Sequence, residues 1–561
     1  MKLTTVSNSL AIISLISIGI CSIKADDSPF DEKYRPQIHY TPAKNWINDP
    51  NGLFRDVDDR FHMFYQYNPQ DKVWGHMSWG HAISDDLEHW EEQPVAVPEG
   101  DGVGIFSGSG VVDYNNTAGF QNSLLYPTQP AYVLIYTGNT NDEQNQNLAY
   151  SLDNGNTFIK YANNPVLRIP GEKNFRDPKV FWFGPQEKWV MVVSLSSQQK
   201  VAFYSSPNLK DWIKTGEFGI SVQENIQWEC PDLFFITCPL TGFQKWVLVV
   251  NVNPGGYQGG SGARYFLGSF DGLTFTMEDP TRTHDYIDYG SDFYAVTSYS
   301  TKLDRWNITR KLSFGWMSNW NYANALPTDP WKGQMSVPRE LKLYIYTFFN
   351  KPYNETYKFF LSNTPNRDFG ISKVSTDKVL NITDNKDNIA TLNQKIKTFL
   401  EANNNPELLQ IIVNFTKPVG DYDFGLNIRT NYKDVKTVVG VKRDNYLVLD
   451  RSASGNTLEI DSFKNQKDIK TEWDTYNEQW GKIEIILDRS SVEAFFFSWL
   501  SVTDLIFPDD ASRGVELWAS DVDKVGVAWM TITVLESAHQ QQQKSHQTIQ
   551  SQKSSKFLIE Q

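Results

Sequence analysis

Four short phrases recur in the first half of the chain, and they limit the fold more than any other feature. Ser84-Asp85-Asp86-Leu87-Glu88-His89-Trp90 resembles Ser205-Ser206-Pro207-Asn208-Leu209-Lys210-Asp211-Trp212. The stretches Ser151 to Phe158 and Ser269 to Phe275 follow the same plan. Each reads as a strand end, a tight polar turn and the start of an aromatic strand. Copies roughly 60 residues apart suit the four-stranded blades of a β-propeller. A second series, Asp49, Ser107, Asp177, Glu229 and Asp292, runs in phase with the first. Equivalent positions of successive blades ring a central channel. These five polar residues are therefore expected to converge, and five blades are expected.

The rest of the chain supports an all-β reading. Helical periodicity is scarce, and short alternating or β-branched runs lie between Gly, Asn, Asp and Pro. A five-bladed β-propeller is expected over residues 30–360. After the turn-rich break Ser362 to Asn366, strands continue, and a C-terminal β-sandwich is expected over 366–536. Two phrases recur there, Leu449-Asp450-Arg451-Ser452 and Leu487-Asp488-Arg489-Ser490, and both are read as structural. Residues 537–561 form a Gln/Ser/Lys tail whose composition cannot build a core, so disorder is expected.

Residues 1–25 have the layout of a secretory signal peptide. Lys2 supplies a positive start, Leu10 to Ile20 is mostly apolar, and Ala25 is a small residue before a cut. The run is shorter than the ~20 residues that span a bilayer, and no later run is apolar enough. A secreted protein is expected (extracellular, cell wall or vacuolar lumen), with no membrane association after signal removal. Asn115, Asn307, Asn354, Asn381 and Asn414 each open an Asn-x-Ser/Thr triplet without Pro in the middle. Such triplets also arise by chance, so they permit glycosylation without proving it. Cys230 and Cys238 flank one extended segment and are too far apart to bridge.

Charge and motifs exclude several functions. Lys plus Arg number 52 against 66 Asp plus Glu, a net charge of −14. That balance makes a nucleic-acid partner a poor candidate. The eight His are scattered and form no His-Glu-x-x-His metal helix. Gly259-Gly260-Ser261-Gly262-Ala263 ends in Ala and is no nucleophile elbow. Gly102 to Gly108 lacks phosphate-loop spacing. No metal and no cofactor are expected. Homo-oligomerisation is compatible with the sequence and is not legible in it.

Three carboxylates carry the chemical reading. Trp46-Ile47-Asn48-Asp49-Pro50-Asn51-Gly52 has strong turn chemistry, but turns do not account for Trp before Asn-Asp. Phe175-Arg176-Asp177-Pro178 sets a guanidinium beside a carboxylate, which it is expected to hold ionised. Trp228-Glu229-Cys230-Pro231 surrounds a carboxyl with apolar side chains, a setting for a proton-donating acid. Singly, each is more often structural. Together, in phase and beside Trp or Phe, they point to glycoside hydrolysis.

These blocks, with Phe106-Ser107-Gly108-Ser109, resemble the signature segments of glycoside hydrolase family 32, the family of invertases, exo-inulinases and levanases. The blocks occur in family order. His76 to His81, Gly259 to Gly262 and Gly315 to Trp320 are most similar to the levanase and exo-inulinase branch. Ile47 departs from the usual Met, an apolar-for-apolar exchange. The resemblance implies a five-bladed propeller plus β-sandwich, and a retaining exo-β-fructofuranosidase acting on fructans (inulin, levan) and sucrose. It implies Asp49 as nucleophile, Glu229 as acid/base and Asp177 as transition-state stabiliser. Asn48, Gln66, Trp74, Phe106, Ser107 and Arg176 would grip the fructosyl ring, and Trp316 would join an aromatic rim. A retaining mechanism sets the Asp49 and Glu229 carboxyls about 5–5.5 Å apart. A sucrose-preferring invertase, a fructosyltransferase and a non-catalytic carbohydrate-binding propeller are the alternatives.

Overall fold

The computed structural model describes residues 30–539 except 122–128, 221–224, 301–308, 348–356, 367–374, 384–386, 417–421, 444–445, 465 and 471–479. The expected signal peptide, Asn307, Asn354 and the tail from residue 540 lie outside the described residues.

Up to Pro365 the described residues form five sheets of four or five strands. Their innermost strands are Asn45–Arg55, Gly104–Asp113, Phe175–Phe183, Gln227–Thr237 and Tyr294–Ser298. Each touches the next, and the last touches the first, so they enclose one channel as a β-propeller. The short strand Trp331–Lys332 runs parallel to Asn45–Trp46 and ties the end of the ring to its beginning. Gly333 follows at φ +94°, and a Cβ there would lie 2.2 Å from the Ile47 carbonyl oxygen, so only glycine passes this close.

The recurring phrases are the turns between third and fourth strands. Ser84 Oγ accepts the amides of Asp86 and Leu87, and Ser151 Oγ accepts that of Gly155. In the third copy this anchor is Ser206, which accepts the Asn208 amide. Trp90 and Trp212 then donate their indole N–H to the carbonyls of Leu87 and Leu209. Apolar faces of neighbouring sheets pack together. Val111, Val133 and Ile135 meet Val180, Met191 and Val193, for example. Each such side chain contributes about 1.5–3 kcal/mol by leaving water.

All five inner strands carry a register shift at corresponding places: between Ile47 and Pro50, Phe106 and Gly108, Arg176 and Lys179, Glu229 and Asp232, and Tyr294 and Thr297. A bulge leaves a residue out of the ladder and turns its side chain in a new direction. Asp177, Cys230 and Ala295 sit at these bulges with φ of 65°, 41° and 52°. The equivalent positions are therefore Asp49, Ser107, Asp177, Cys230 and Ala295. Asp292, the expected fifth member, lies just outside its strand and belongs elsewhere.

The strand Tyr357–Pro365 pairs with Arg339–Thr347 in the fifth sheet, so the propeller runs past residue 360 to Pro365. A six-stranded and a five-stranded sheet, drawn from Val379 to Val534, then form a β-sandwich. A 14-residue helix, Ile389–Ala402, departs from the all-strand expectation there. Asn388 caps it by accepting the Thr391 amide, and Ile389, Leu392, Ile396 and Leu400 supply its buried stripe.

A charged interface joins the two units. Arg451 donates to Asp292 Oδ2 at 2.6 Å and to Tyr322 Oη at 2.8 Å. Asp488 and Glu493 each lie 2.8 Å from the His39 ring. Both Asp-Arg-Ser phrases thus face the propeller, and Asp292 is held there instead of at the channel. The expected tail also starts later than residue 537. Ser537 donates to Gln37 Oε1, the Ala538 amide donates to the Gln37 carbonyl, and the His539 ring stacks on Phe30.

Candidate active site

The three carboxylates meet at one end of the channel. Asp49 is buried and accepts a hydrogen bond on each oxygen, from Asn48 Nδ2 at 3.0 Å and from Ser107 Oγ at 2.6 Å. Asn48 is oriented in turn by the Trp46 indole, which donates to its Oδ1 at 2.8 Å. This chain of contacts explains why Trp precedes Asn-Asp. Asp177 accepts the Cys230 amide at 2.9 Å, while its own amide donates to Thr137 Oγ1. Cys230 Sγ lies 3.4 Å from Asp49 Oδ2 and 3.7 Å from Asp177 Oδ2, so one thiol bridges two carboxylates. Cys230 and Cys238 are both buried and unbridged.

Arg176 joins the third carboxylate to the other two. Its Nη2 and Nε donate to Glu229 Oε1 at 2.8 and 3.1 Å. Gln227, Gln144 and Asn174 hold the remaining guanidinium hydrogens. Nε stands 3.9 Å from Asp177, its neighbour in sequence. The expected pairing is therefore corrected: the guanidinium serves Glu229 first. The expected apolar setting for Glu229 is corrected too, because Tyr294 donates its hydroxyl to the other carboxylate oxygen.

Burial dominates the electrostatics. It pushes the Asp49 carboxyl up, against the lowering effect of Ser107 and Asn48, and the Glu229 charge adds to the rise. Burial also lifts Asp177 to about 7; Arg176 opposes the shift, and the charges of Glu229 and Asp49 add to it. The expected Arg176-enforced ionisation of Asp177 thus yields to desolvation. The charges of Glu229 and Asp49 thus oppose the ionisation of Asp177, and the charge of Glu229 opposes that of Asp49.

Around the trio, Gln66 donates to the Ile105 carbonyl and Trp79 to that of Phe106, fixing the strand that carries Ser107. Trp74 is exposed and meets the half-buried Phe106 edge-on, with ring centroids 5.9 Å apart. Asn48, Gln66, Phe106, Ser107 and Arg176 therefore gather round Asp49, with Trp74 beyond them at the mouth. Trp316 does not reach a rim. It is 0% exposed and packs beneath Trp46 and Trp320, with centroids 5.9 and 5.0 Å away. Trp320, half-buried and stacked on Trp46, takes the place expected for it. Among the described residues, Asp86, Glu88 and His89 form the one group with ligand atoms near enough to share a metal ion. They occupy the first repeat turn, at the far end of the strand Ser78–Ser84 from the trio.

Sequence reasoning missed Trp46, Cys230, Tyr294 and Trp320. Trp46 and Cys230 lie inside the singled-out motifs without a role assigned to them, and Trp320 ends the Gly315 to Trp320 block. Tyr294 carried no local signal.

Comparison with known proteins agrees with this fold. Residues 39–352 match the model of the glycosyl hydrolases family 32 N-terminal domain, and residues 374–553 match that of the family 32 C terminal. A levanase of Bacillus subtilis is 40% identical over 513 residues, covering 90% of this chain and 71% of the relative. An extracellular exo-inulinase of Aspergillus niger is 42% identical over 359 residues, covering 59% of this chain and 66% of its own length. The solved exo-inulinase of Aspergillus awamori superposes with a TM-score of 0.77 at 32% identity, covering 91% of this chain and 99% of that one. The fructofuranosidase of Schwanniomyces occidentalis complexed with fructose gives 0.77 at 31% identity, covering 92% and 100%.

Proposed function

The chain belongs to glycosyl hydrolase family 32, and from that premise we propose that it removes terminal β-fructofuranosyl units from fructans and sucrose by double displacement. The observation that carries this reading is the convergence of Asp49, Asp177 and Glu229 through Cys230 and Arg176. In the first step an Asp49 oxygen attacks the anomeric carbon. The bond from that carbon to the glycosidic oxygen breaks, and Glu229 gives its proton to the departing oxygen. In the second step the Glu229 carboxylate takes a proton from water. The water oxygen attacks the same carbon, and the bond to Asp49 breaks to free fructose. Asp177 binds sugar hydroxyls and opposes the positive charge of the oxocarbenium-like transition state.

Asn48 and Ser107 aim Asp49, Gln66 and Arg176 shape the fructosyl pocket, and Trp74 and Phe106 offer apolar faces at the mouth. The same proposal includes secretion through residues 1–25, and glycans at Asn115, Asn381 and Asn414, none of which is fully buried. The test is fructose release from sucrose, inulin and levan, with product chromatography. Wild type should release single fructose units with the β configuration first seen by NMR. Asp49→Ala and Glu229→Ala should fall by at least about 10²–10⁴-fold. Inverted product, or full activity in either variant, would remove the covalent mechanism.

A further inference from the structure

Trp320 lies outside the strands, in the turn between Lys311–Trp316 and the short strand Trp331–Lys332. No ladder of backbone hydrogen bonds fixes it, so its place depends on side-chain anchors. Two residues supply them. Asn319 donates from Nδ2 to the Ser291 carbonyl at 2.8 Å and to the Gly259 carbonyl at 3.2 Å. Its own carbonyl accepts the amides of Tyr322 and Ala323. Tyr322 donates its hydroxyl to Asp292 Oδ1 at 2.7 Å and accepts from Arg451 Nη2 at 2.8 Å.

Both anchors lead across the domain boundary. The Ser291 amide donates to Asp504 Oδ1 at 2.9 Å, and the Asp292 amide to the Thr503 carbonyl at 3.0 Å. The Leu505 amide donates to Asp292 Oδ2 at 2.8 Å. Thr503, Asp504 and Leu505 belong to the sandwich strand Leu500–Leu505. The Trp320 turn is therefore fastened to the sandwich and not only to its own blade.

Arg451 is the centre of this fastening. It is fully buried, and its guanidinium lies 3.7 Å from the Phe463 ring centroid. Nε donates to the Phe463 carbonyl at 2.8 Å, and Nη1 to Asp292 Oδ2 and the Leu505 carbonyl at 2.6 and 2.7 Å. A planar fork held at so many points fixes direction as well as distance. Cement between two domains could join any pair of surface residues. Here the propeller partners, Asp292 and Tyr322, each stand two residues from a side chain of the site, Tyr294 and Trp320.

We propose that Arg451, a sandwich residue, is a positioning residue for the propeller's reaction: through Tyr322 it holds the turn that sets Trp320 against Trp46 at the channel mouth. The proposal rests on the reading of the channel as a fructosidase with Trp320 at its rim. Arg451 touches no substrate. It keeps the indole in one orientation before substrate arrives, so little freedom is lost on binding. Loosening the turn should weaken substrate binding more than the chemical step, because Asp292 keeps its bonds to Arg451, Thr503 and Leu505.

The test uses the full chain and measures kcat and KM on sucrose and inulin, well below each variant's melting temperature. Tyr322→Phe removes one hydroxyl and no charge, and Arg451→Lys keeps the charge but loses the fork. Each is also combined with Trp320→Ala. Tyr322→Phe should raise KM several-fold and keep kcat within about twofold. Arg451→Lys should raise KM at least as much; if it fails to fold, Tyr322→Phe still decides. Each double variant should show the KM of Trp320→Ala alone, because the anchor acts through an indole that is no longer there. Effects on KM that multiply in the double variants would overturn the proposal. So would a lowered melting temperature with unchanged KM in Tyr322→Phe, which would leave Arg451 as domain cement only. An active wild type whose KM is untouched by Trp320→Ala would overturn it too. Failure of wild type to release fructose from either substrate would sink the channel reading itself, and the proposal with it.

Discussion

Arg176 donates twice to Glu229 Oε1, and its Nε stands 3.9 Å from Asp177, the residue that follows it in the chain. The Asp177 bulge separates the two neighbours. It turns the carboxylate toward Cys230 and leaves the guanidinium to reach across to the next inner strand. Arg176 is thus the clamp between two blades, with Gln227, Gln144 and Asn174 fixing its plane.

Arg176→Lys tests that clamp. A lysine cannot fill the fork of donors, so kcat should fall about 10²–10³-fold with little change in thermal stability. Arg176 also lowers Asp177 against the rise caused by burial, so its complete removal has a second effect. In Arg176→Ala, Asp177 should protonate at still higher pH, and any limb of the pH–rate profile that reports it should move alkaline. An unmoved profile in a folded, weakened variant would assign that limb to another group.

Much of this site was legible because its residues lie inside short runs of unusual composition. Asp49, Arg176, Asp177 and Glu229 each sit beside Trp, Phe or Pro near a strand start, and Asn48 is two residues from Trp46. The phase of the series was readable to within three residues, but the bulges were not. Backbone φ values of 65° at Asp177 and 41° at Cys230 belong to the bulges, where non-glycine residues take a conformation that local propensity disfavours. That is why Asp292 looked equivalent while Tyr294 and Ala295 hold the corresponding place. Trp316 misled for a related reason. Its motif marks the aromatic cluster, but alternation decides which indole is exposed, and the turn after Trp316 hands the surface to Trp320. The helix Ile389–Ala402 was hidden among strand-like neighbours, although its apolar spacing of three and four residues is plain once isolated.

Tyr294→Phe removes a single hydroxyl from Glu229 and leaves the ring in its packed place against Trp316. A hydrogen bond to a charged group contributes about 1.5–3 kcal/mol, or roughly 10–100-fold in rate if it acts in the transition state. The variant should lose that much kcat on sucrose and keep its melting temperature within a few degrees. Activity equal to wild type would make the hydroxyl a packing feature only.

The aromatic cluster predicts opposite outcomes for two tryptophans in one motif. Trp320→Ala should raise KM on fructans and sucrose several-fold and cost little stability, because the indole is partly at the surface. Trp316→Ala should cost about 3–5 kcal/mol of stability, as a large buried ring leaves a cavity under Trp46. Urea unfolding with parallel kinetics separates the two. Equal effects on KM and stability in both variants would contradict the placement of Trp320 over Trp316.

The domain interface gives a pH-dependent stability whose sign can be worked out. His39 is buried between Asp488 and Glu493. Burial alone would lower its pKa, but the two carboxylates override it and raise it to about 9. Folding therefore favours the protonated ring. That contribution is complete below the ordinary value of about 6.5 and is lost as the pH climbs through about 9. Its size is about 3 kcal/mol, from a shift of roughly 2.5 units at 1.36 kcal/mol each. Asp488 and Glu493 are lowered in the folded chain despite burial, so their contribution is present at neutral pH and lost in acid. Thermal unfolding followed from pH 6 to pH 10 should show the wild-type melting temperature falling between about pH 7 and pH 9. His39→Gln should be less stable at pH 6 and should lack that fall, since it carries no titrating ring between the two carboxylates. Parallel curves for the two proteins across this range would show that the ring is neutral in the folded state.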